Sequence, residues 1–205
     1  MQKVAATFNF EKPHWNDKKL VVGIDEVGRG AWAGPLVAAA VILPINFHPR
    51  FKLYDSKLID SVERKRLSKL ISKHAVSFGI GWSEVSEIEN LGLTAANLLA
   101  YQRALEQLTS PPDHYLIDAF KIPSIDISLQ TPIIHGDRLS ASIAAASIVA
   151  KVYRDELMIE LNDSYPEYSL NRHKGYGTKL HQEAILKFGL TDIHRATYDL
   201  AILHD

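Results

Sequence analysis

The chain has 205 residues, of which 46% are hydrophobic and 23% are charged, and it carries a formal net charge of −1 and no cysteine. This composition is typical of one ordinary globular domain, and the missing cysteine excludes disulfides, thiolate zinc sites and a cysteine nucleophile. A net charge near zero neither favours nor excludes a nucleic acid as partner. The sequence shows no secretory signal at its start and no apolar run of the roughly 20 residues that span a bilayer. We therefore expect a cytoplasmic protein that does not enter a membrane.

The pattern of apolar residues predicts an α/β protein. After an irregular or edge segment over residues 1–18, it predicts a strand at Lys19–Ile24 and a buried strand at Leu36–Leu43. The Gly34-Pro35 turn between them predicts a hairpin. The other predicted elements are helices at Ser61–Lys73, Ser83–Asn90, Thr94–Leu108, Ser140–Asn162 and His181–Phe188, strands at Ala75–Trp82 and His114–Asp118, and a loop with a short strand at Lys121–Pro132. This order of strands and helices is typical of a mixed sheet flanked by helices.

Three apolar segments lead into acidic residues. Asp25 and Glu26 follow the first strand, Asp118 ends a later strand, and Asp137 follows the apolar Ile133-Ile134 pair. Acids at the ends of adjacent strands can converge, and four carboxylates without cysteine or an obvious histidine cluster predict an oxygen site for Mg²⁺ or Mn²⁺. Two such ions, about 3.5–4 Å apart, are the usual apparatus of phosphodiester hydrolysis.

Each acid also has a purely structural interpretation. Asp25 and Glu26 could form an exposed turn, Asp118 could cap the loop after its strand, and Asp137 is well placed to cap the long helix that follows it. For Asp155, an (i, i+4) pair with Lys151 is the simpler account. The sequence lacks a P-loop, a His-Glu-x-x-His motif and a Gly-x-Ser-x-Gly elbow, so those chemistries are disfavoured.

Two segments are candidate basic patches for a nucleic-acid backbone. One is Arg64-Lys65-Arg66, and the other is Arg172-His173-Lys174 together with Lys179. For the first patch, a solvated helix face is the simpler interpretation.

A series of short motifs runs through nearly the whole chain. In order, they are Gly23-Ile24-Asp25-Glu26-Val27-Gly28-Arg29-Gly30, Gly34-Pro35, Asp55-Ser56-Lys57, Tyr115-Leu116-Ile117-Asp118, Gly136-Asp137, the segment from Ala141 to Asp155, His173-Lys174-Gly175-Tyr176-Gly177-Thr178 and Ile193-His194-Arg195. This ordered set resembles the signature of prokaryotic ribonuclease HII, and it is far more specific than an isolated pair of acids.

The resemblance implies an α/β ribonuclease H-like fold, with a central mixed β-sheet flanked by helices. A core over about residues 19–162 and a small C-terminal helical segment over 163–205 would form one catalytic domain, 1–205. It implies an endonuclease that hydrolyses the RNA strand of RNA–DNA hybrids. It also implies cutting on the 5′ side of a single ribonucleotide in duplex DNA, leaving a 3′-hydroxyl and a 5′-phosphate, with Mg²⁺ or Mn²⁺ as cofactor. No sliding-clamp peptide is recognisable at 200–205, and we expect no obligatory protein partner.

By motif position, the resemblance also assigns roles to individual residues. The catalytic, metal-binding residues would be Asp25, Glu26, Asp118 and Asp137, and the substrate-binding residues Gly28, Arg29, Gly30, Ser56, Lys57 and Tyr176. The Gly-Arg-Gly turn matches the motif that senses the ribose 2′-hydroxyl, the group that distinguishes RNA from DNA. Tyr176 matches the tyrosine that packs on a sugar at the junction between ribose and deoxyribose. From the residues alone, an ordinary packed tyrosine is an equal alternative.

Besides Asp55-Ser56-Lys57-Leu58, which lacks the frequent second lysine, two places depart from the family pattern. Ala119-Phe120 follows Asp118 where glycine is frequent, and His135 and Arg138 stand where lysine and serine are common. These departures concern substrate affinity and not the reaction. Two other functions stay open: a catalytically silent hybrid-binding module, which would bind without divalent ions, and another nuclease of this fold, such as a junction resolvase, which would not require a 2′-hydroxyl.

Overall fold

The computed structural model describes residues 4–198, and a five-stranded mixed sheet runs through it. Its strands are β1 (Val21–Val27), β2 (Leu36–Ile42), β3 (Ser77–Ser83), β4 (His114–Asp118) and β5 (Gln130–Ile133). Their order across the sheet is β3-β2-β1-β4-β5. The first three strands pair antiparallel, whereas β4 pairs parallel with both β1 and β5. The predicted hairpin and the predicted mixed sheet are therefore confirmed.

Helices cover both faces of this sheet. They are α1 (Lys12–Asn16), α2 (Ser61–His74), α3 (Val85–Leu91), α4 (Leu93–Glu106), α5 (Gly136–Leu139), α6 (Ala141–Ser164), α7 (Leu170–His173) and α8 (Lys179–Phe188). The N-terminal segment is not wholly irregular as predicted, because α1 forms there, with Pro13 in its first turn and Trp15 buried in the core. Proline is favoured in a first turn, where its missing N–H has no helical partner.

The first strand ends three residues later than predicted. Its ladder with β2 extends to Glu26↔Ala38 and Val27↔Val37, so Asp25 and Glu26 lie within the strand rather than in a turn after it. The interpretation of this pair as an exposed turn is therefore wrong. The partner strand β2 is buried along its whole length, which explains why β1 stays extended beside it.

Small residues let the helices lie very close to the sheet. A Cβ on Gly23 of β1 would lie 2.1 Å from the carbonyl carbon of Ser142 at the start of α6. On the other face, a Cβ on Gly81 of β3 would lie 2.3 Å from the carbonyl oxygen of Ala100 in α4. A side chain at either glycine would push the helix outwards. These contacts fix the acidic end of β1 against the start of α6.

The C-terminal part folds around its own apolar cluster, which includes Met158, Tyr168, Leu170 and Ile185. The helix predicted at His181–Phe188 is confirmed as α8, which starts two residues earlier. None of the helices in the described part of the chain combines the length and the hydropathy needed to cross a bilayer. The residues at 200–205, where we predicted no clamp peptide, lie outside the described range.

Candidate active site

The four predicted acids lie at or just beyond the C-terminal ends of neighbouring strands of the sheet. Asp25 and Glu26 are near the end of β1, and Asp118 is the last residue of the adjacent strand β4. The parallel register pairs Ile24 with Ile117, so Asp25 and Asp118 come next on neighbouring strands. Asp137 lies in the first turn of α5. This helix follows β5, the strand that pairs with β4 next to Asp118. The strand order therefore assembles acids that are far apart in the sequence.

Burial and mutual repulsion raise the pKa values of these carboxyl groups. Burial raises the pKa of Asp25 well above its ordinary range, and the charges of Glu26, Asp118 and Asp137 raise it further. Burial is also the largest cause of the raised pKa values of Glu26, Asp118 and Asp137. Because charge is disfavoured there unless it is compensated, the cluster suits a divalent cation with oxygen ligands.

Three of the four carboxylates accept a hydrogen bond, each from a different partner. Asp25 Oδ1 accepts from the Glu26 N–H at 2.7 Å, Asp118 Oδ1 accepts from the Gly136 N–H at 2.7 Å, and Glu26 Oε2 accepts from the Tyr101 hydroxyl. Within residues 4–198, no three Asp, Glu or His side chains converge closely enough to hold a metal ion. The site thus presents adjacent, separately anchored oxygen donors rather than a preformed coordination shell. The donor chemistry fits Mg²⁺ or Mn²⁺.

Asp137 does not cap the long helix. The cap of α6 is Ser140, whose Oγ accepts from the Ile143 N–H at 3.3 Å, and Asp137 belongs to the separate helix α5. Its Oδ2 faces Lys57 Nζ at 3.9 Å. The capping interpretation of Asp137 is therefore wrong, and its buried carboxylate is available to the acidic cluster.

Asp55 is a fifth carboxylate near the site; it is buried, and sequence reasoning did not select it. Its Oδ1 accepts from the Lys57 N–H at 2.9 Å and its Oδ2 from Arg138 Nε at 3.1 Å. Its charge raises the pKa values of Asp118 and Asp137, so it lies within their electrostatic reach. The signal was present in the Asp-Ser-Lys motif, but an acid in a loop gives no indication of burial. Arg138, one of the departures, thus partners Asp55.

Ser56 lies behind the acids rather than on the surface. Its side chain is buried, and its Oγ is 2.9 Å from Ser147 Oγ on α6. The Ser147 hydroxyl is also hydrogen-bonded to Asp25, which opposes the rise in the Asp25 pKa. Ser56 therefore contacts the site through Ser147, whereas its neighbour Lys57 extends into solvent.

The other departure, Ala119-Phe120, supports Arg29. The Arg29 guanidinium lies over the Phe120 ring, 4.4 Å from its centroid, and Nε is 3.9 Å from Glu26 Oε1. Ala119 adopts φ 57°, a left-handed conformation that costs about 1–2 kcal/mol for a residue with a Cβ. The glycine that is common here in the family would avoid this strain, but Phe120 adds a cation–π contact to the arginine.

Two buried arginines hold the loop that contains Gly28-Arg29-Gly30. Arg195 donates to the carbonyl oxygens of Gly28 at 2.7 Å and Arg29 at 3.0 Å, and Arg154 donates to the carbonyl oxygen of Pro35 at 2.9 Å. Gly28 has φ 95°, and a Cβ there would lie 2.3 Å from Arg154 Nε. A Cβ on Gly30 would meet nothing within 4 Å. Gly28 is therefore required by the fold, whereas the backbone at Gly30 is open to approach.

Tyr176 lies next to this loop. A backbone bridge joins Tyr176 to Ala31, and the Trp32 N–H donates to the Gly175 carbonyl oxygen at 2.8 Å. The Tyr176 ring is half-buried and faces the guanidinium of Arg154, 5.5 Å from the ring centroid, and Lys151 Nζ at 5.7 Å. The two segments assigned to substrate reading are therefore neighbours, and one buried arginine contacts both.

A backbone N–H group determines which ring nitrogens carry the protons in two buried histidines next to Tyr176. The Thr191 N–H donates to His194 Nδ1 at 3.0 Å, so neutral His194 carries its proton on Nε2, which faces His181 Nε2 at 3.2 Å. His181 therefore carries its proton on Nδ1 and donates it to the Tyr176 carbonyl oxygen at 3.1 Å. This chain of neutral imidazoles, with His173 stacked on His181, holds the Tyr176 loop in place.

Acidification is expected to weaken this part of the fold. Burial, together with the charges of the neighbouring His173 and His194, lowers the pKa of His181 to about 4. The folded protein therefore binds fewer protons than the unfolded chain, and stability falls as the pH drops from about 6.5 through the folded value, by about 3 kcal/mol at pH 4. NMR titration of the imidazole and thermal melts of the wild type and His181→Gln measure this. A titration of His181 near pH 6.5 would contradict it.

A basic cleft opens beside Tyr176, between α2, α6 and α7. Its volume is about 510 Å³, and the cationic residues that line it are Arg64, Lys65, Lys151, Arg172 and Lys174. Asp155 pairs with Lys151 at 2.6 Å, as predicted, and also faces Arg64 at 4.0 Å. The Arg64 side chain is only 12% exposed, so the interpretation of this patch as a solvated helix face is wrong for Arg64. Cations exceed acids along the cleft, which suits a phosphate backbone.

Comparison with known proteins identifies the family of this chain. Residues 22–201 match the family model described as Ribonuclease HII. The Ribonuclease HII of Anaeromyxobacter sp. (strain Fw109-5) is 46% identical over 198 residues, which cover 96% of this chain and 62% of that protein, so the chain spans less than two thirds of its length.

Solved structures share the fold. The ribonuclease H2 from Pyrococcus horikoshii OT3 superposes with a TM-score of 0.73 at 22% identity, covering 88% of this chain and 94% of that chain. Bst-RNase HIII in complex with Mn²⁺ gives a TM-score of 0.70 at 18% identity, covering 88% and 67%. With the match over residues 22–201, the chain belongs to the ribonuclease HII family of ribonuclease H hydrolases.

Proposed function

We propose that this protein is an endonuclease that hydrolyses the RNA strand of RNA–DNA hybrids and incises duplex DNA on the 5′ side of single embedded ribonucleotides. The products would be a 3′-hydroxyl and a 5′-phosphate. The observation that carries the proposal is the position of four acids beside the Gly28-Arg29-Gly30 loop, two of them buried and two half-buried, at the ends of β1 and β4 and in α5. Membership of the ribonuclease HII family supports it.

The four acids Asp25, Glu26, Asp118 and Asp137 would hold the divalent cofactor. Bound there, Mg²⁺ or Mn²⁺ would activate the attacking water and stabilise the leaving oxygen in a two-ion hydrolysis. The Mn²⁺ in the Bst-RNase HIII structure supports this choice of ions. Tyr101 orients Glu26 through its hydroxyl, and Ser147 orients Asp25, so each carboxylate keeps its direction as substrate arrives.

Recognition of the ribose would fall to the Gly28-Arg29-Gly30 loop. Arg195 donates to its carbonyl oxygens at Gly28 and Arg29 and so holds the loop, whose Arg29 side chain lies beside Glu26. A 2′-hydroxyl both donates and accepts hydrogen bonds, so a rigid polar loop can distinguish ribose from deoxyribose. Lys57, exposed and 3.9 Å from Asp137, would contact the adjacent phosphate.

Tyr176 and the basic cleft would bind the flanking nucleotides. The Tyr176 ring would pack on the sugar at the junction, while the cleft cations neutralise phosphates and give binding a strong dependence on salt. We propose that one catalytic domain over 1–205 does this in the cytoplasm without an obligatory protein partner.

Cleavage of three matched duplexes tests the proposal. The substrates are duplex DNA with one ribonucleotide, a long RNA–DNA hybrid and an all-DNA duplex, each with Mg²⁺, with Mn²⁺ and with chelator. We expect one metal-dependent cut 5′ to the ribonucleotide, cleavage of the hybrid and no cleavage of all-DNA. Cleavage of the hybrid alone would remove the single-ribonucleotide role. Cleavage of all-DNA would favour a junction resolvase, and metal-independent binding without cleavage would favour the binding module.

A further inference from the structure

Glu11 is a buried carboxylate outside the region that matches the family. The match begins at residue 22, whereas Glu11 precedes α1 and is 0% exposed. Burial raises its pKa, and hydrogen bonds from Ser140 and Ser142 oppose that rise. A buried acid is unfavourable unless it makes compensating hydrogen bonds, so its contacts indicate a specific role.

Those contacts are all with the junction between α5 and α6. Glu11 Oε1 accepts from the Ser140 hydroxyl at 2.6 Å and from the Ser142 N–H at 2.8 Å. An acid at the N-terminus of a helix satisfies unpaired N–H groups and interacts favourably with the helix dipole. Glu11 therefore provides a cap from 129 residues away in the sequence, in addition to the local cap at Ser140.

The backbone before Glu11 reinforces the same junction. The Thr7 N–H donates to the Leu139 carbonyl oxygen at 3.2 Å, and the Ala141 N–H donates to the Thr7 carbonyl oxygen at 2.9 Å. The four-residue helix α5 is thus held at its C-terminal end by the N-terminal segment. A single helical turn is not stable by itself, so Asp137 in that turn depends on this support.

The junction contacts both strands that carry the acids. The start of α6 lies directly against Gly23, two residues before Asp25. At the other end of α5, the Gly136 N–H donates to Asp118 Oδ1 at 2.7 Å. A shift of this junction would therefore change the position of Asp137 relative to Asp118 and Asp25 together.

We propose that Glu11 is a positioning residue for the metal site, which it controls by clamping the α5–α6 junction that carries Asp137. It touches neither substrate nor cofactor, and it acts through Ser140 and Ser142. The proposal rests on the proposed metal-dependent reaction at these acids.

Glu11→Ala and Glu11→Gln separate this role from general stability. Glutamine keeps an acceptor for Ser140 and Ser142, whereas alanine removes it. Because residues that support metal ligands typically change metal affinity or activity by about 10–100-fold, we expect Glu11→Ala to weaken Mn²⁺ binding about tenfold and to lower kcat with an unchanged KM. Glu11→Gln should stay within about threefold of the wild type for both quantities.

The measurements include readouts that do not depend on turnover. Isothermal titration with Mn²⁺ gives the affinity, and amide hydrogen exchange of residues 134–143 in metal-free protein should be faster in Glu11→Ala than in the wild type. The matched control is Ile71→Ala, a core variant in α2 that lowers stability and removes no hydrogen bond at the junction. If Glu11→Ala does not fold, Glu11→Asp takes its place, since its side chain is one methylene too short to reach both partners. We then expect smaller changes in Mn²⁺ affinity, kcat and hydrogen exchange, in the same directions.

The outcomes separate the two proposals. If Glu11→Ala resembles Ile71→Ala in Mn²⁺ affinity, in kcat and in exchange at 134–143, the positioning role is wrong. If the wild type cleaves no substrate, the proposed function is wrong, while the Mn²⁺ titration and the exchange still decide the role of Glu11.

Discussion

Asp118→Asn is expected to lower kcat by about three orders of magnitude, which corresponds to about 4 kcal/mol of lost transition-state stabilisation. Asparagine keeps the oxygen that accepts from the Gly136 N–H, now at 2.7 Å, so the local geometry should persist while one metal-binding charge is lost. Because burial raises the pKa of Asp118, a neutral side chain also removes a disfavoured charge. The metal-free variant should therefore be at least as thermally stable as the wild type.

Steady-state cleavage at saturating Mg²⁺ and thermal melts without metal measure these two effects. Asp126→Asn is the matched control, since Asp126 is exposed, and its Oδ1 likewise accepts from a backbone N–H, that of Ser128 at 2.8 Å. It changes the net charge equally and should leave kcat unaltered. Normal turnover by Asp118→Asn would refute its assignment as a metal ligand.

Tyr176→Ala is expected to lower cleavage at a single embedded ribonucleotide by about 10–100-fold, because stacking of a base or sugar on an aromatic ring contributes about 1–3 kcal/mol. A long RNA–DNA hybrid should be affected less, since it can bind in many registers and offers a 2′-hydroxyl at each of them. Comparison of kcat/KM for the two substrates measures this difference.

Tyr176→Phe separates the ring from the hydroxyl group. The ring would still face Arg154, 5.5 Å from the ring centroid, so this variant should stay within about threefold of the wild type if packing is what matters. An equal loss on both substrates in Tyr176→Ala would indicate a general defect in binding. An undiminished cut at the single ribonucleotide would remove the junction-reading role.

Much of the fold could be predicted because its signals are local. The apolar run that became β2, the turn at Gly34-Pro35 and the helical spacing of α2 are each encoded within a few residues, and each is confirmed. The errors concern residues whose secondary structure depends on a neighbouring element. The strand β1 includes Asp25 and Glu26 because β2 pairs with it there.

The candidate site was predictable only in part, for the same reason. Acids that follow apolar segments are visible in the sequence, and the ordered motifs assigned them roles. The burial of Asp55 and the hydroxyl of Tyr101 on Glu26 could not be foreseen, since Tyr101 reaches Glu26 across 75 residues. The support of Arg29 by Phe120 was likewise hidden, and the segment was noted only as a departure.

The sequence by itself determined the composition of this site: four carboxylates after apolar segments, a Gly-Arg-Gly turn and a tyrosine between two glycines. These follow from residue type and short spacing, which a chain carries whether or not it is folded. Only the tertiary structure decided which side chains hold the carboxylates, the turn and the tyrosine in place. A hydrogen bond acts over about 3 Å, and packing brings its two partners together. Arg154 and Arg195 lie in motifs that give them no role by themselves, Glu11 lies in no motif, and the roles of all three appear only when strands and helices meet.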